Sequence, residues 1–575
     1  MNTKKLLALL LSLVLVFGIF AGCGSENAAS EATTASDEAI SASSQEPAAE
    51  TKPEVVEIEV PSVELPTEPS YTLPISEEPL NYSIWMTYAP FAADLVNVET
   101  MEGMLVLDTL QEVTNIHFDV VAANGAAEQD NFNLMIAAGD YTDIISSMEF
   151  YSSGLEGAVE EGIIQDLAEV LPEKCPIYWN KLTENTNTLM RAYTDSGYMP
   201  TICVLYPEVG QEVIGPVLRG DWLDEWSMEM PKTFDDLYAY LEKAKSEKGA
   251  IYDMVSTDGL AGDLAMGENI SLGGYEVVDG QVEFGMAQPA FKDYLKFMNQ
   301  LYTNGIISQD FFADTASDLN SAARLNFGLG TNSLVSVGAN NTSDIIMNVT
   351  DEAFEMRVMP YVTVDGTTEN HLGPDTLTDT MKDPDPWAFS TECDDIDPLL
   401  EMVEFMFSDE GYLLTNYGVE GETYTLDENG DPQYTDLIIN NPDGLSYFFA
   451  SYVYATNAAT GFFPYINDMA KTFYEFNDNQ WQVFEDLKKL SDCAYTYPSY
   501  ASMTTEESAD YSSIESDMST YMDSKVLEFI VGSADIDAEF DTFVDTLYEM
   551  GLQDLIDIKQ AAYDRAMVRA ESFGA

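Results

Sequence analysis

Between residues 81 and 166 the chain alternates two hydrophobic periods, and this constrains the fold more than any other feature. "NYSIWMTYAP" (Asn81–Pro90) has the apolar and β-branched content of a strand, and Leu107, Leu110 and Val113 then recur on one face of a helix. "NIHFDVV" alternates Ile116, Phe118 and Val120 as a second strand. Phe132, Met135 and Ile136 form a helical stripe ended by Gly139, and Thr142–Ser146 suits a short buried strand. A further helix carries Leu155, Ala158 and Val159 and stops at Gly162. Strand, helix, strand, helix, strand in that order predicts an α/β fold with a largely parallel sheet. With 575 residues, 46% of them hydrophobic, the chain exceeds what one core holds, so two lobes or more are expected.

Ahead of this region, Lys4 and Lys5 precede the uncharged run Leu6–Gly22, which has the layout of an export signal over residues 1–22. The tetrapeptide Phe20-Ala21-Gly22-Cys23 resembles the lipobox of bacterial lipoproteins, in which the cysteine sulfur receives a diacylglycerol. That resemblance implies lipidation at Cys23 and an extracytoplasmic protein anchored to the outer face of the cell membrane, since two acyl chains hold stably where one holds marginally. Residues 23–79, rich in Ser, Ala, Glu, Thr and Pro, are expected to be a disordered linker.

Charge narrows the partners. With 101 acidic against 23 basic residues the formal net charge is −78, so nucleic acid and anionic phosphate surfaces are repelled. Beyond Cys23, the widely spaced Cys175, Cys203, Cys393 and Cys493 allow one or two disulfides, with three pairings open, and show no zinc spacing. The two histidines do not make a nucleophilic device: His117 alternates with apolar strand residues, and His371 stands without a GxSxG partner. No phosphate-binding GxxxxGK[ST] loop occurs. "DENGDPQYTD" (Asp427–Asp436) spaces oxygens somewhat like a calcium loop but lacks the closing glutamate of an EF-hand. The expectation is no enzyme, no catalytic residue, no cofactor and no metal.

Several further stretches are informative together. "FNLMIAAGDYTDII", "EGIIQDLAEVLP", "LRGDWLDEWSMEMPKTFDDLYAYLEKAK" (Leu218–Lys245), "VDGQVEFGMAQPAFKDYLKFMNQLYTNGIISQDFF", "MVEFMFSDEGYLLTNYGVEGETYTLDENG" (Met402–Gly430) and "EMGLQDLIDIKQAAYDR" occur in an order that resembles the extracellular solute-binding proteins of ABC importers, the maltose-binding-protein-like family, in its large lipid-anchored Gram-positive form. The Leu218–Lys245 stretch also stands on its own physics, with Thr233 and Asp236 as a capping box and Phe234, Leu237, Leu241 and Ala244 as an apolar face. The resemblance implies a two-lobed periplasmic-binding-protein-like (type II) fold, each lobe a mostly parallel sheet flanked by helices, with a hinge crossed more than once. By analogy lobe 1 spans 80–200 and 386–445, and lobe 2 spans 201–385 and 446–575.

The implied function is capture of an extracellular solute, an oligosaccharide foremost, in an interlobe cleft and its delivery to the permease transmembrane subunits by a monomer. A peptide or other polar solute on the same fold, and a secreted glycoside hydrolase, are the alternatives. Sugars ask for flat aromatics against their ring faces and short polar groups at their edges. Ligands in open α/β sheets sit outside the carboxyl ends of the strands, which selects Trp85 and Tyr88 after the first strand and Ser147, Glu149 and Tyr151 after "TDII". The resemblance adds Gly338 and Asn340 at the place where maltose-binding protein carries a sugar-stacking tryptophan, with no aromatic here. Tyr497, in the tyrosine-rich "YTYPSY", completes the candidate set, while Arg219 and Asp221 suit either a structural pair or a ligand contact.

Overall fold

The structure is a computed structural model. It describes residues 58 and 60–573 apart from 89–94, 98–100, 102, 125–127, 212, 253–259, 310, 312–323, 339–341, 347–348, 350, 456–462, 470 and 472–475. The export segment, Cys23 and the linker up to residue 57 lie outside the described residues.

The strands in chain order are β1 (Leu80–Tyr88), β2 (Ile116–Asn124), β3 (Ile144–Ile145), β4 (Ile202–Leu205), β5 (Ile214–Arg219), β6 (Tyr275–Val278), β7 (Gln281–Phe284), β8 (Leu334–Gly338), β9 (Met356–Val358), β10 (Met381–Phe389), β11 (Tyr424–Leu426) and β12 (Pro432–Tyr434). The first sheet has the order β2-β1-β3-β10-β4. Its β1 runs parallel to both β2 and β3, as the strand and helix alternation requires, and β10 lies antiparallel between β3 and β4. Both faces are covered: Ile84 and Met86 enter a large core on one side, while Trp85 enters a smaller one on the other.

The second sheet departs from the expected mostly parallel form. In its order β8-β5-β9 both outer strands are antiparallel to β5. β5 leads away from the first sheet, and both of its partners run back. Beside this sheet the helix Phe234–Lys248 carries the expected capping box at Thr233 and Asp236 and ends at Gly249 with φ 71°. Phe234 stacks on Phe297 with centroids 4.4 Å apart, and Leu237, Leu241 and Ala244 are buried in the second core.

The linker ends earlier than expected, because the sequence from Ile58 is laid against the first core. Ile58, Val60, Val63, Tyr71, Leu73 and Ile75 all pack on it. Trp179 Nε1 donates to the Pro61 carbonyl at 2.8 Å, Tyr71 donates to Ser408 Oγ at 3.1 Å, and Ile75 N–H reaches the Thr114 carbonyl at 3.0 Å. The Ser70 hydroxyl donates to Glu404, a buried carboxylate that also accepts the Ile177 and Tyr178 N–H groups at the start of the helix Pro176–Thr183. Ser- and Pro-rich composition masked these spaced apolar residues. Tyr71→Ala, which removes a ring packed edge-on against Phe405 at 5.3 Å, is expected to lower unfolding stability by about 2 kcal/mol in urea denaturation. Cys175, Cys203, Cys393 and Cys493 are all buried free thiols.

Three segments pass between the two cores. Leu205 belongs to the first core and Tyr206 to the second; Val362 to the second and Met381 to the first; Ile466 to the first and Met469 to the second. These segments are bonded to one another where they cross. Leu205 N–H donates to the Tyr465 carbonyl at 3.0 Å, Asn467 N–H to the Leu205 carbonyl at 2.7 Å, and Tyr206 N–H to the Thr380 carbonyl at 2.6 Å. By this packing residues 202–205, 381–385, 447–455 and 463–466 go with the first lobe, where the division drawn from sequence places them in the second. The last helix, Leu552–Phe573, starts in the second core and ends with Phe573 against the first, 5.9 Å from the Tyr193 ring.

Candidate ligand-binding site

Strand direction brings the strand ends to one edge. β4 is antiparallel to β10, which is antiparallel to β3, so β4 points the same way as β1, β2 and β3. The carboxyl ends of all four therefore lie along one edge of the sheet, and the chain leaves that edge at Leu205 to enter the crossing. On the other side, Ile214, the first residue of β5 after the crossing, pairs with Gly338, the last residue of β8. The hinge thus joins the carboxyl edge of the first sheet to the Gly338 end of the second. Ligands in open α/β folds bind outside such an edge.

At the edge, Tyr88 ends β1 and Ser147 follows β3 by two residues. Thr87 Oγ1 and Ser147 Oγ lie 3.5 Å apart. Ser147 has φ 63°, an unusual left-handed conformation for a residue with a side chain, and it swings the chain into the short turn Met148–Phe150 with Glu149 exposed. The turn is anchored from below: Asp143 Oδ2 accepts both the N–H and the hydroxyl of Ser83 at 2.7 Å, and Trp85 N–H reaches Thr142 Oγ1 at 3.1 Å. The Glu128 carboxyl is held above the usual range, by burial first and then by the charge of Glu149.

Other expected site residues are engaged in packing. Trp85 is 2% exposed and sits edge-on to Phe132 and Phe150, at 5.2 and 6.4 Å. Tyr151, 8% exposed, shares that core and donates to Glu161 at 2.8 Å; burial and that bond push its phenol up. Trp85 lies three residues before the end of β1 and Tyr151 just beyond the turn Met148–Phe150, and the helices on this face take both rings into the smaller core. Tyr497 donates to the Lys559 carbonyl at 2.9 Å, and the Lys559 amine lies over the rings of Tyr497, Tyr275 and Tyr511 at 5.3, 5.7 and 5.0 Å. That cluster lies within the second lobe. Asn340 lies outside the described residues. Arg219 and Asp221 form a structural pair, with Nε–Oδ1 at 2.8 Å and the guanidinium over Trp222 and Phe354 at 4.4 and 4.5 Å.

Sequence reasoning missed the polar cluster at the third crossing. Asn416, on the helix Asp409–Tyr417, accepts the Asp468 N–H at 3.0 Å and the Lys471 ammonium at 2.9 Å, and donates to the Ile466 carbonyl at 2.8 Å. Tyr412 donates to Asp468 and Tyr447 to the Lys471 carbonyl. Lys471 is 7% exposed, with its amine 5.2 Å from the Tyr465 ring centroid. Burial pushes its pKa down to about 7, with Asp468 opposing and Lys382 adding to the shift. Asparagine in "LLTNYG" and lysine in "DMAKTF" carry no signal until the fold brings them together.

Other chemistry finds little support. His117 is half-buried in β2. His371 Nδ1 is 3.0 Å from Asp492, and its ring lies 4.6 Å from that of Tyr495. Asp427–Asp436 folds as the hairpin of β11 and β12, where Asp427 Oδ1 accepts the Asn429 and Asp431 N–H groups at 2.7 and 3.0 Å. Among the described residues no cluster of His, Cys, Asp and Glu is arranged to hold a metal ion.

A sheet edge joined by a three-segment hinge to a second lobe defines a two-lobed binding protein, and residues 99–412 match the family model of the bacterial extracellular solute-binding proteins. The chain belongs to that family. It is similar to the polygalacturonan/rhamnogalacturonan-binding protein YtcQ of Bacillus subtilis strain 168, with 27% identity over 212 residues that cover 35% of this chain and 41% of the relative. Similarity to lipoprotein LipO of the same strain is 22% over 407 residues, 67% of this chain and 74% of that one. The fructooligosaccharide ABC transporter substrate-binding protein FusA of Streptococcus pneumoniae serotype 4 is 26% identical over 234 residues, 36% of this chain and 42% of FusA. The structure of FusA in complex with kestose superposes with a TM-score of 0.66 at 19% identity, covering 85% of this chain and 99% of that one. The sequence matches thus span well under half of YtcQ and of FusA, while the fold extends over nearly all of FusA.

Proposed function

We propose that this protein is the substrate-binding lipoprotein of an ABC importer, which captures an oligosaccharide between its lobes and presents it to the permease. The observation that carries the reading is the coincidence of the hinge with the carboxyl edge: a ligand seated at Tyr88 and Ser147 lies beside the segments that must bend for the second lobe to close over it. Closure follows only from the ligand's greater affinity for the closed state. The names of YtcQ and FusA, both sugar binders by description, favour a glycan over a peptide. Cys23 would hold the molecule to the outer membrane face, with the chain before Ile58 as its leash.

Isothermal titration against panels of oligosaccharides and oligopeptides, with small-angle scattering of the same samples, tests this. A sugar should bind and reduce the radius of gyration; binding confined to peptides, or no compaction with any bound sugar, would refute it. Tyr88→Ala is expected to weaken sugar binding by about 1 kcal/mol, roughly fivefold, through loss of an aromatic contact, with little change in melting temperature because the ring is only half-buried.

A further inference from the structure

The described chain begins at the wall of a groove. Ile58, Pro61 and Val63, from the stretch laid against the first core, line with Ala168, Pro172 and Tyr193 a cavity of about 600 Å³. That is within the range, roughly 300–1,000 Å³, of cavities that seat ligands. The lining is largely apolar, and at its rim Glu169 and Glu173 stand exposed, four residues apart. Their neighbour Lys174 is engaged by Asp397 at 2.9 Å, so the rim keeps a negative charge. The groove lies beyond the edge of the first sheet opposite the ligand edge: Gln165 N–H donates to the Phe389 carbonyl at 2.8 Å and Leu167 N–H to the Met199 carbonyl at 2.9 Å, where Phe389 pairs with the first residue of β3 and Met199 precedes β4.

Two features of the sequence just before Ile58 match this groove. Val56, Ile58 and Val60 alternate with Glu57 and Glu59, the period of an extended segment with one apolar face. Ile58 and Val60 pack on the first core, and a residue two positions earlier on the same face falls about 7 Å further along the wall that Ile58 begins. The second feature is charge. Lys52, four residues before Val56, is the sole lysine or arginine between Lys5 and Lys174, in a linker that is otherwise acidic and whose one other branched apolar residue before Val55 is Ile40. The single cation of the linker and its valine pair thus stand next to the one stretch of the first lobe where an apolar groove carries an acidic rim at the point of attachment.

We propose that residues 52–57 dock in this groove, with Val56 among its apolar side chains and the Lys52 ammonium at Glu169 and Glu173. Six residues of extended chain reach at most about 20 Å, so Lys52 can meet the rim while Ile58 keeps its place. Burial of Val56 supplies the larger part of the affinity, because an ion pair in water contributes little; the lysine fixes the register. The docking itself is independent of any cargo. What it does for the protein rests on the anchoring at Cys23 in the proposed function: a leash that starts before Lys52 leaves the first lobe from the edge opposite Tyr88 and Ser147, and so holds the ligand edge clear of the chain that tethers it.

Digestion of the whole exported chain with a Glu-specific proteinase, followed by mass spectrometry, tests the docking, because a proteinase needs the bond and its flanking residues free. A peptide of residues 34–60 carrying the same substitution gives the intrinsic rate of each bond. Relative to that peptide, cleavage after Glu54 should be at least about tenfold slower in the folded chain, the worth of one buried valine side chain, while cleavage after Glu38 keeps the peptide's rate. Val56→Asp, and Ala168→Trp, which fills the groove, should each return Glu54 to the rate of its peptide with the melting temperature little changed. Lys52→Glu should speed cleavage after Glu54 by about two- to fivefold, and Glu169→Lys with Glu173→Lys in that background should restore the protection. Protection that survives both Ala168→Trp and Lys52→Glu would mean that nearness to Ile58 alone shields Glu54, and would overturn the docking. So would cleavage after Glu54 at the peptide's rate in the unaltered chain. If Ala168→Trp instead speeds hydrogen exchange at residues 570–573 and leaves Glu54 protected, the groove belongs to the chain end beyond Phe573 and the proposal fails. None of these readouts involves a cargo, so the oligosaccharide reading stands or falls apart from them.

Discussion

Asp195→Ala is expected to lower the unfolding free energy by about 3–5 kcal/mol, among the largest losses any single exchange in this chain should cause. The carboxylate is buried beside the first lobe and holds two guanidinium groups of the last helix, Arg565 Nε at 2.6 Å and Arg569 at 3.0 Å, besides the Ser502 hydroxyl at 3.0 Å. Arg565 retains Glu507, at 2.8 and 2.5 Å, and Arg569 retains the carbonyls of Tyr193 and Tyr500. Removal of Asp195 therefore takes the ion-pair carboxylate away from Arg569 and leaves it the two carbonyls and the field of Glu156, in a site that water barely reaches. The cost arises from that stranded charge rather than from the pair's own worth, so Arg569→Met, which removes the charge together with its bonds, should cost less than Asp195→Ala in urea denaturation. The opposite order would mean that the helix is held by the guanidinium's packing and not by its ion pair. Since Leu552 and Leu555 lie in one core and Phe573 against the other, the loss should also loosen the seat of the helix on the first lobe, seen as faster hydrogen exchange in residues 562–573.

The parts of this architecture that were legible in the sequence are the local ones. The periods of β1, β2 and the helix Leu105–Thr114, and the capping box at Thr233, depend on residues within a few positions of each other, and the structure has them where those patterns fall. The strand-end rule likewise found Tyr88, Ser147 and Glu149 at the edge. It misassigned Trp85 and Tyr151 because a rule about the end of a strand says nothing about its faces, and in a sheet covered on both sides an aromatic near the end is claimed by the core. The stretch from Ile58 failed for a related reason: its apolar residues are spaced too irregularly to show a period, and only the groove of the first lobe gives them a partner. The hinge was invisible for a stronger reason, since it brings together Leu205, Thr380 and Tyr465 from three distant parts of the chain, and nothing local marks Asn416 or Lys471 as its neighbours.

Lys471 makes the second large effect one of pH. An unfolded lysine titrates near 10.4, and burial at the hinge brings this one down to about 7. Below pH 7 the ammonium is charged in both states and the full penalty of burying it is present, with no dependence on pH. Between about 7 and 10 the unfolded chain holds a proton that the folded chain has released, so the unfolded state binds more protons and stability rises with pH. At about 1.4 kcal/mol per unit the gain from pH 7 to pH 9 is about 2–3 kcal/mol. Lys471→Met removes the titrating group while keeping an unbranched chain against the Tyr465 ring, and Asn416 keeps its bonds to Asp468 N–H and the Ile466 carbonyl. The variant should therefore be the more stable protein at pH 7, and its advantage should shrink by about 2–3 kcal/mol as the pH is raised to 9. Paired urea titrations of the two proteins across that range isolate the contribution, because every other titrating group is common to both. A constant difference between the two curves would place the amine in water; a difference that closes with rising pH would show that the folded hinge buries an amine whose charge its neighbours do not satisfy.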